Sequence, residues 1–189
     1  MIIPPEQSRV LLDAAREAIR AVLAGEMPET MELVDPILSQ PAGCFVSLHR
    51  RDTHALRGCV GRLDARDALL EAVRDTAVGV IDDPRFVDDP VTLRELSELE
   101  LEISVISQLY PVDDPASFDL LNDGIYLMFA GRTGCFLPQV ARETGWTREQ
   151  LLDRLCTEKL GLPAMVWRHP QASLSRFTTC ILGPEAFQL

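Results

Sequence analysis

The sequence predicts an α+β fold, an antiparallel sheet with flanking helices. Three observations carry that expectation. Two short apolar runs, Cys44 to His49 and Ala55 to Gly61, are separated by only a few polar residues and read as a hairpin. Leu99, Leu101, Ile103 and Val105 alternate with Glu100, Glu102, Ser104 and Ile106, as in a half-buried strand. Helical patterns fall between the strands without a regular β-α-β order.

Taken in order, Pro4 and Pro5 precede a helix from about Glu6 to Ala24, with Leu11, Ala14, Ala18 and Val22 on one stripe and Gly25 as its stop. Residues 26–42 contain Pro28, Pro36 and Pro41 and read as an irregular connector. After the hairpin, Asp67 to Ile81 forms a second amphipathic helix, ended by Asp82-Asp83-Pro84-Arg85-Phe86, where Pro84 pushes Asp83 out of helical geometry. Thr92 with Glu95 matches a capping box for a short helix over Leu93–Glu98. A loop over Pro111 to Asp123 leads to a strand at Ile125–Ala130, a turn at Gly131–Gly134, and a strand at Cys135–Leu137 that Pro138 ends or places at an edge. Gln139 follows at the strand-to-helix junction. Thr147 and Gln150 form a second capping box, with Trp146 and Leu151 as a hydrophobic staple, for a helix running to Lys159 and closed by Gly161. The final strand, Leu174 to Leu182, is expected to join the main sheet.

At 189 residues the chain suits one domain with room for two lobes and is long enough to bury a sizeable core. A net charge of −11 opposes attraction to phosphate backbones and anionic lipid, so nucleic acid and membrane are not expected partners. Arg50, Arg51, Arg57, Arg62 and Arg66 nevertheless crowd one segment with only Asp52 and Asp64, which reads either as a small anion-binding surface or as a solvated hairpin. Five cysteines without C-x-x-C spacing, and no basic, apolar leader at the N-terminus, point to free thiols in the cytoplasm. No phosphate-cradling glycine loop and no G-x-S-x-G elbow occurs, and three histidines without clustered cysteines argue against a structural zinc; no metal or cofactor is expected.

The stretch that carries chemistry is Leu56-Arg57-Gly58-Cys59-Val60-Gly61. In an extended strand Leu56 and Val60 face one way, and Arg57 and Cys59 share the other face about 7 Å apart. A guanidinium that near favours the thiolate, the nucleophilic form. Gly58 and Gly61 permit a bulge or a close backbone approach by a ligand. The same residues also read structurally, with Cys59 as a small apolar side chain and Arg57 in a surface ion pair. Asp83 and Arg85 are either a local pair or a substrate contact. The hairpin register is open, so neither His49 nor His54 is placed beside Cys59.

Together these segments resemble the AMMECR domain family. The matching runs are Cys44-Phe45-Val46-Ser47-Leu48, Leu56 to Gly61, Asp83-Pro84-Arg85-Phe86, Glu102-Ile103-Ser104-Val105-Ile106, Phe136-Leu137-Pro138-Gln139-Val140, and Trp146 with its helix through Cys156, spanning residues 43–182. The resemblance implies a single domain over residues 1–189, built as two lobes with an interlobe cleft, the N- and C-terminal parts forming the larger lobe. It places Arg57, Cys59, Asp83, Arg85 and Gln139 near that cleft. It further implies an accessory role beside a Memo-type protein and a radical-SAM enzyme, in a family without a settled activity. The sequence departs from the family at Asn122-Asp123-Gly124, where a His often precedes the Gly; Asp123 offers only a carboxylate there.

Two functions follow as expectations. In one, the chain is a binding component whose cleft holds a small molecule or a peptide of such a partner. In the other, it is an enzyme using Cys59, activated by Arg57, for group transfer or redox chemistry, with Arg85 and the basic hairpin holding an anionic substrate group; in either, Gly58, Gly61, Asp83, Arg85 and Gln139 are the expected ligand-binding residues.

Overall fold

A computed structural model describes residues 2–28 and 35–187. In chain order the elements are α1 (Pro5–Leu23), β1 (Gly43–Arg50), β2 (Leu56–Arg62), α2 (Leu69–Val80), 3-10 turns at Pro84–Phe86 and Leu93–Glu98, β3 (Leu99–Ile106), β4 (Tyr110–Pro111), β5 (Gly124–Phe129), β6 (Arg132–Phe136), α3 (Pro138–Thr144), α4 (Arg148–Arg154) with a π-helical continuation at Leu155–Lys159, β7 (Ser173–Phe177) and β8 (Thr179–Ala186). The fold is α+β, with two sheets rather than one. The chain divides into two compact units: Met1–Ile106 with Cys180–Leu189, and Ser107–Thr179.

In the first unit the strand order is β2-β1-β3-β8, and β1 pairs antiparallel with both β2 and β3. Cys44, Val46 and Leu48 lie on one face with Leu101, Ile103 and Val105, and all six are fully buried. Helix α2 packs on β1 and β2, and α1 packs on α2 and β3, so the helices cover this face. Helix α1 forms because Pro5 suits the first turn and because Leu11, Ala14, Ala15, Ala18 and Ile19 recur at helical spacing and are buried. Gly25, at φ +76, follows its end. Residues 29–34 of the expected connector lie outside the described residues, and Leu38 beyond them is buried in the core. The opposite face of the sheet carries Phe45, Ser47 and His49 of β1, Cys59 and Gly61 of β2, and Glu100, Glu102 and Ser104 of β3.

The second unit has the order β4-β7-β5-β6, again antiparallel. Strand β6 begins at Arg132, three residues earlier than the sequence suggested. Ala130 and Gly131 both take positive φ (50° and 76°) and Phe129 pairs with Arg132, so the turn needs only two residues. The expected strand Leu174–Leu182 is also corrected. It breaks at Thr178, whose carbonyl accepts from the Ser107 N–H and whose own N–H donates to Ser107 Oγ, which takes up the peptide groups that would extend either ladder. Strand β7 therefore stays in the second sheet and β8 joins the first.

Thr147 and Gln150 form the expected reciprocal capping box of α4. Leu151, Leu152, Leu155 and Cys156 are buried against Ile125, Leu127 and Trp167, and Trp146 packs at the edge of that cluster. Asp153 ties the irregular stretch before β7 to this helix: its Oδ1 accepts from the Met165 N–H at 2.9 Å and from Trp167 Nε1 at 2.8 Å. Replacing Asp153 by Ala leaves the part-buried Trp167 Nε1–H without its acceptor and the exposed Met165 N–H to water. The expected cost is about 2 kcal/mol, read as a lowered urea midpoint with unchanged slope.

Candidate functional site around Cys59

Cys59 lies on β2, an edge strand of the first sheet, so its peptide groups have no strand neighbour on the outer side. Asp83 and Arg85 supply one. The Cys59 N–H donates to Asp83 Oδ2 at 2.8 Å, and Arg85 Nη2 donates to the Cys59 carbonyl at 3.0 Å. The two side chains are themselves clasped, Arg85 Nε on Asp83 Oδ1 at 3.0 Å and Arg85 Nη2 on Oδ2 at 2.6 Å, and the Arg85 N–H also donates to Oδ1. Pro84 makes the geometry local: Asp83 is held at φ −56, ψ 118, outside the helix, and caps the 3-10 turn that presents Arg85.

Asp83 is 3 % exposed. The Arg85 guanidinium, then the Cys59 and Arg85 N–H groups, hold its carboxyl down to about 2 against the effect of burial. Arg85 is correspondingly held in its charged form, first by Asp83 and, more weakly, by the Cys59 side chain. The cation beside the thiol is thus Arg85.

Arg57 is placed differently from the sequence expectation. His49 pairs with Leu56 and Leu48 with Gly58, so Arg57 is the extra residue of a bulge and the period-two alternation breaks there. Leu56 turns out to solvent (37 % exposed) and Arg57 turns in (3 %). Its Nε and Nη2 reach the two oxygens of Glu95 at 2.7 and 3.1 Å. Glu95, expected to cap the Leu93–Glu98 turn, is drawn away from Thr92, whose side chain makes no cap bond. Arg57 and Arg85 still approach one ring, at 5.4 and 5.9 Å from the Phe86 centroid.

The glycines serve close approach by the protein's own chain. A Cβ at Gly58 would stand 2.8 Å from the Val80 carbonyl oxygen, and one at Gly61 would overlap the Phe45 ring and lie 2.5 Å from the Cys44 carbonyl. Four of the five arginines of this segment meet carboxylates: Arg50 and Arg57 share Glu95, Arg62 pairs with Asp67 and Arg66 with Asp64, while exposed Arg51 donates to the Ser97 carbonyl.

Register now adds two residues that the sequence reading did not single out for the site. Ser47 pairs with Cys59 on one side and with Glu102 on the other, so Cys59, Ser47 and Glu102 form one row across three strands. Directly opposed side chains stand about 5 Å apart at Cβ, which gives a thiol, a hydroxyl and a carboxylate on one half-buried face. The alternation of β3 already put Glu102 on that face; its partners required the register. His49 lies one row on, with Nδ1 against the His54 carbonyl at 3.2 Å, and His54 Nδ1 meets Glu100 at 3.0 Å.

Gln139 belongs to the second unit, in the first turn of α3. In the same unit Asp123 is buried, accepts from the Asp119 N–H at 2.9 Å and pairs with Arg176 at 3.3 Å. Among the described residues no group of three His, Cys, Asp or Glu side chains is arranged to hold a metal ion, and no helix is long and apolar enough to cross a membrane.

The family model described as AMMECR1 matches residues 12–182. Protein Ta0236 of Thermoplasma acidophilum is 31 % identical over 178 residues, 90 % of this chain and 84 % of its own length. Protein MJ0810 of Methanocaldococcus jannaschii is 32 % identical over 179 residues, 91 % and 87 % of the two chains. The crystal structure of the uncharacterized protein PH0010 from Pyrococcus horikoshii superposes with a TM-score of 0.87 at 33 % identity, covering 95 % of this chain and 92 % of that one.

The Asp83 clasp has a signed pH dependence. Its folded carboxyl titrates near 2, below the ordinary 3.8, so its stabilisation is complete above about pH 4 and is lost as pH falls through 2. Asp83→Asn is expected to cost about 2 kcal/mol at pH 7 and to flatten the loss of stability between pH 4 and 2, measured by urea titrations across that range.

Proposed function

The chain belongs to the AMMECR1 family, and from that membership and the surroundings of Cys59 we propose that it is an accessory component acting with a Memo-type protein and a radical-SAM enzyme. In this reading the face bearing Cys59, Ser47 and Glu102 binds a small molecule or a peptide of one of those partners. The observation that carries the proposal is the clasp on the Cys59 peptide. It spends a buried carboxylate and an arginine on fixing one residue of an edge strand, which prepares the adjacent row of polar side chains in one geometry before a ligand arrives. Arg57, spent on Glu95, supports the bulge from behind.

One observation favours a second reading, in which Cys59 is a thiolate nucleophile or redox thiol acting on an anionic substrate. Arg85, half-exposed, donates to the Cys59 carbonyl at 3.0 Å, so a cation is fixed at the residue that bears the thiol. Arg85 then takes the activating role that the sequence reading gave to Arg57.

Site-resolved alkylation with iodoacetamide from pH 5 to 9 separates the two. Cys44 and Cys156 are buried with their thiols pushed up by burial, and both are expected to stay unmodified until the chain unfolds. Rapid labelling of Cys59 well below about pH 8.5, slowed by Arg85→Gln, supports the thiolate reading; labelling only on unfolding removes it. Cys59→Ser that preserves co-purification with a Memo-type or radical-SAM protein, and preserves its effect on their reaction, supports the binding role. Failure of the wild-type chain to associate with either partner, together with no bound ligand in native mass spectrometry, overturns it.

A further inference from the structure

The hairpin histidines take no part in the clasp on Cys59, yet the register brings one of them to the same face. Ser47 and His49 are two residues apart on β1 and point to the same side, and Cys59 stands opposite Ser47. His49 is therefore the diagonal neighbour of Cys59, about 7–8 Å away between backbones, a gap that an imidazole and a thiol together can span. The residue is half-buried.

Its contacts fix which nitrogen is open. His49 Nδ1 lies 3.2 Å from the His54 carbonyl oxygen. A carbonyl only accepts, so Nδ1 carries the hydrogen and the neutral ring keeps its lone pair on Nε2. That carbonyl is itself held in place. His54 takes a positive φ of 56°, its N–H donates to the Arg50 carbonyl at 2.8 Å, and its own Nδ1 meets Glu100 at 3.0 Å.

The charges around His49 suit a ring that takes up a proton. Glu100 stands opposite it across β1 and β3, with its side chain 17 % exposed. On the other side the bulge sets Leu56 opposite His49 and turns Arg57 away onto Glu95. Arg50, next along β1, is engaged by Glu95 and Glu98. Glu102 lies one row on in β3, and Arg85 is fixed at the Cys59 carbonyl. A carboxylate facing the ring, with the nearest guanidinium turned away, favours the imidazolium.

We propose that His49 is the general base for Cys59, oriented by the His54 carbonyl. The inference rests on the thiolate reading of this site. The proton passes from Cys59 Sγ to His49 Nε2, so a neutral pair becomes a thiolate and an imidazolium with no change in total charge. Glu100 stabilises the imidazolium and Arg85 the thiolate.

The test follows the rate of Cys59 labelling by iodoacetamide against pH in the full chain, with His49→Asn and His49→Ala alongside. Asn keeps an N–H donor where Nδ1 stands, and so the bond to the His54 carbonyl, but has no atom at Nε2. In the wild-type chain the rate is expected to rise through about pH 6.5, where an imidazole loses its proton. In both variants the rise moves up to about pH 8.5, where an ordinary thiol ionises, and labelling at pH 7 slows roughly tenfold. His49→Asn that labels with the wild-type rate and profile overturns the base role, and slowing by Arg85→Gln in that case leaves the thiolate reading standing. A wild-type rise only near pH 8.5, or labelling only on unfolding, overturns both. Those last readouts come from the wild-type chain and so do not depend on the folding of any variant.

Discussion

The Asp83 carboxylate is the constraint on which the first unit's exposed sheet edge depends. One buried side chain accepts from a strand peptide, from the peptide of its own turn and from a guanidinium, and that guanidinium closes the loop by donating to the same strand residue. An edge strand ordinarily leaves such groups open to solvent or to another chain. Here a five-residue turn stands in for the missing strand, and the residue so gripped is Cys59. Burial alone would raise the carboxyl's proton affinity; the charge and hydrogen bonds of Arg85 reverse the sign.

The same economy of charge governs the rest of the hairpin. In a chain with a net charge of −11, carboxylates meet Arg50, Arg57, Arg62 and Arg66 of this segment, which limits the basic surface that five arginines would otherwise make. Glu95 is the clearest case. It receives Arg57 through two hydrogen bonds and Arg50 through a third. A buried guanidinium without that partner would be costly, and the pair is what lets the bulge turn Arg57 inward.

The thiols divide by environment. Cys44 is fully buried with its sulfur 3.5 Å from Thr76 Oγ1, and Cys156 is packed in the second core, so burial disfavours the charged form of each. Cys59 is the thiol that the fold sets beside a hydroxyl, a carboxylate and a cation. A binding role and a thiolate role draw on this same row, differing only in whether the sulfur itself forms a bond.

Much of this was legible in the residues. Periodicity located α1, α2 and β3 because the spacing of apolar side chains repeats within each element, and the Asp83-Pro84-Arg85 turn and the Thr147–Gln150 capping box were readable because their partners lie within a few residues. What the tertiary structure alone decided were matters of long-range pairing: the bulge that inverts Arg57, the partnership of Arg57 with Glu95 across 38 residues, the row joining Cys59 to Ser47 and Glu102, and the split of one alternating segment between two sheets. The physical reason is that a strand's own pattern gives its two faces but not its register. Register follows from which backbone groups and which buried charges find one another once the chain has packed.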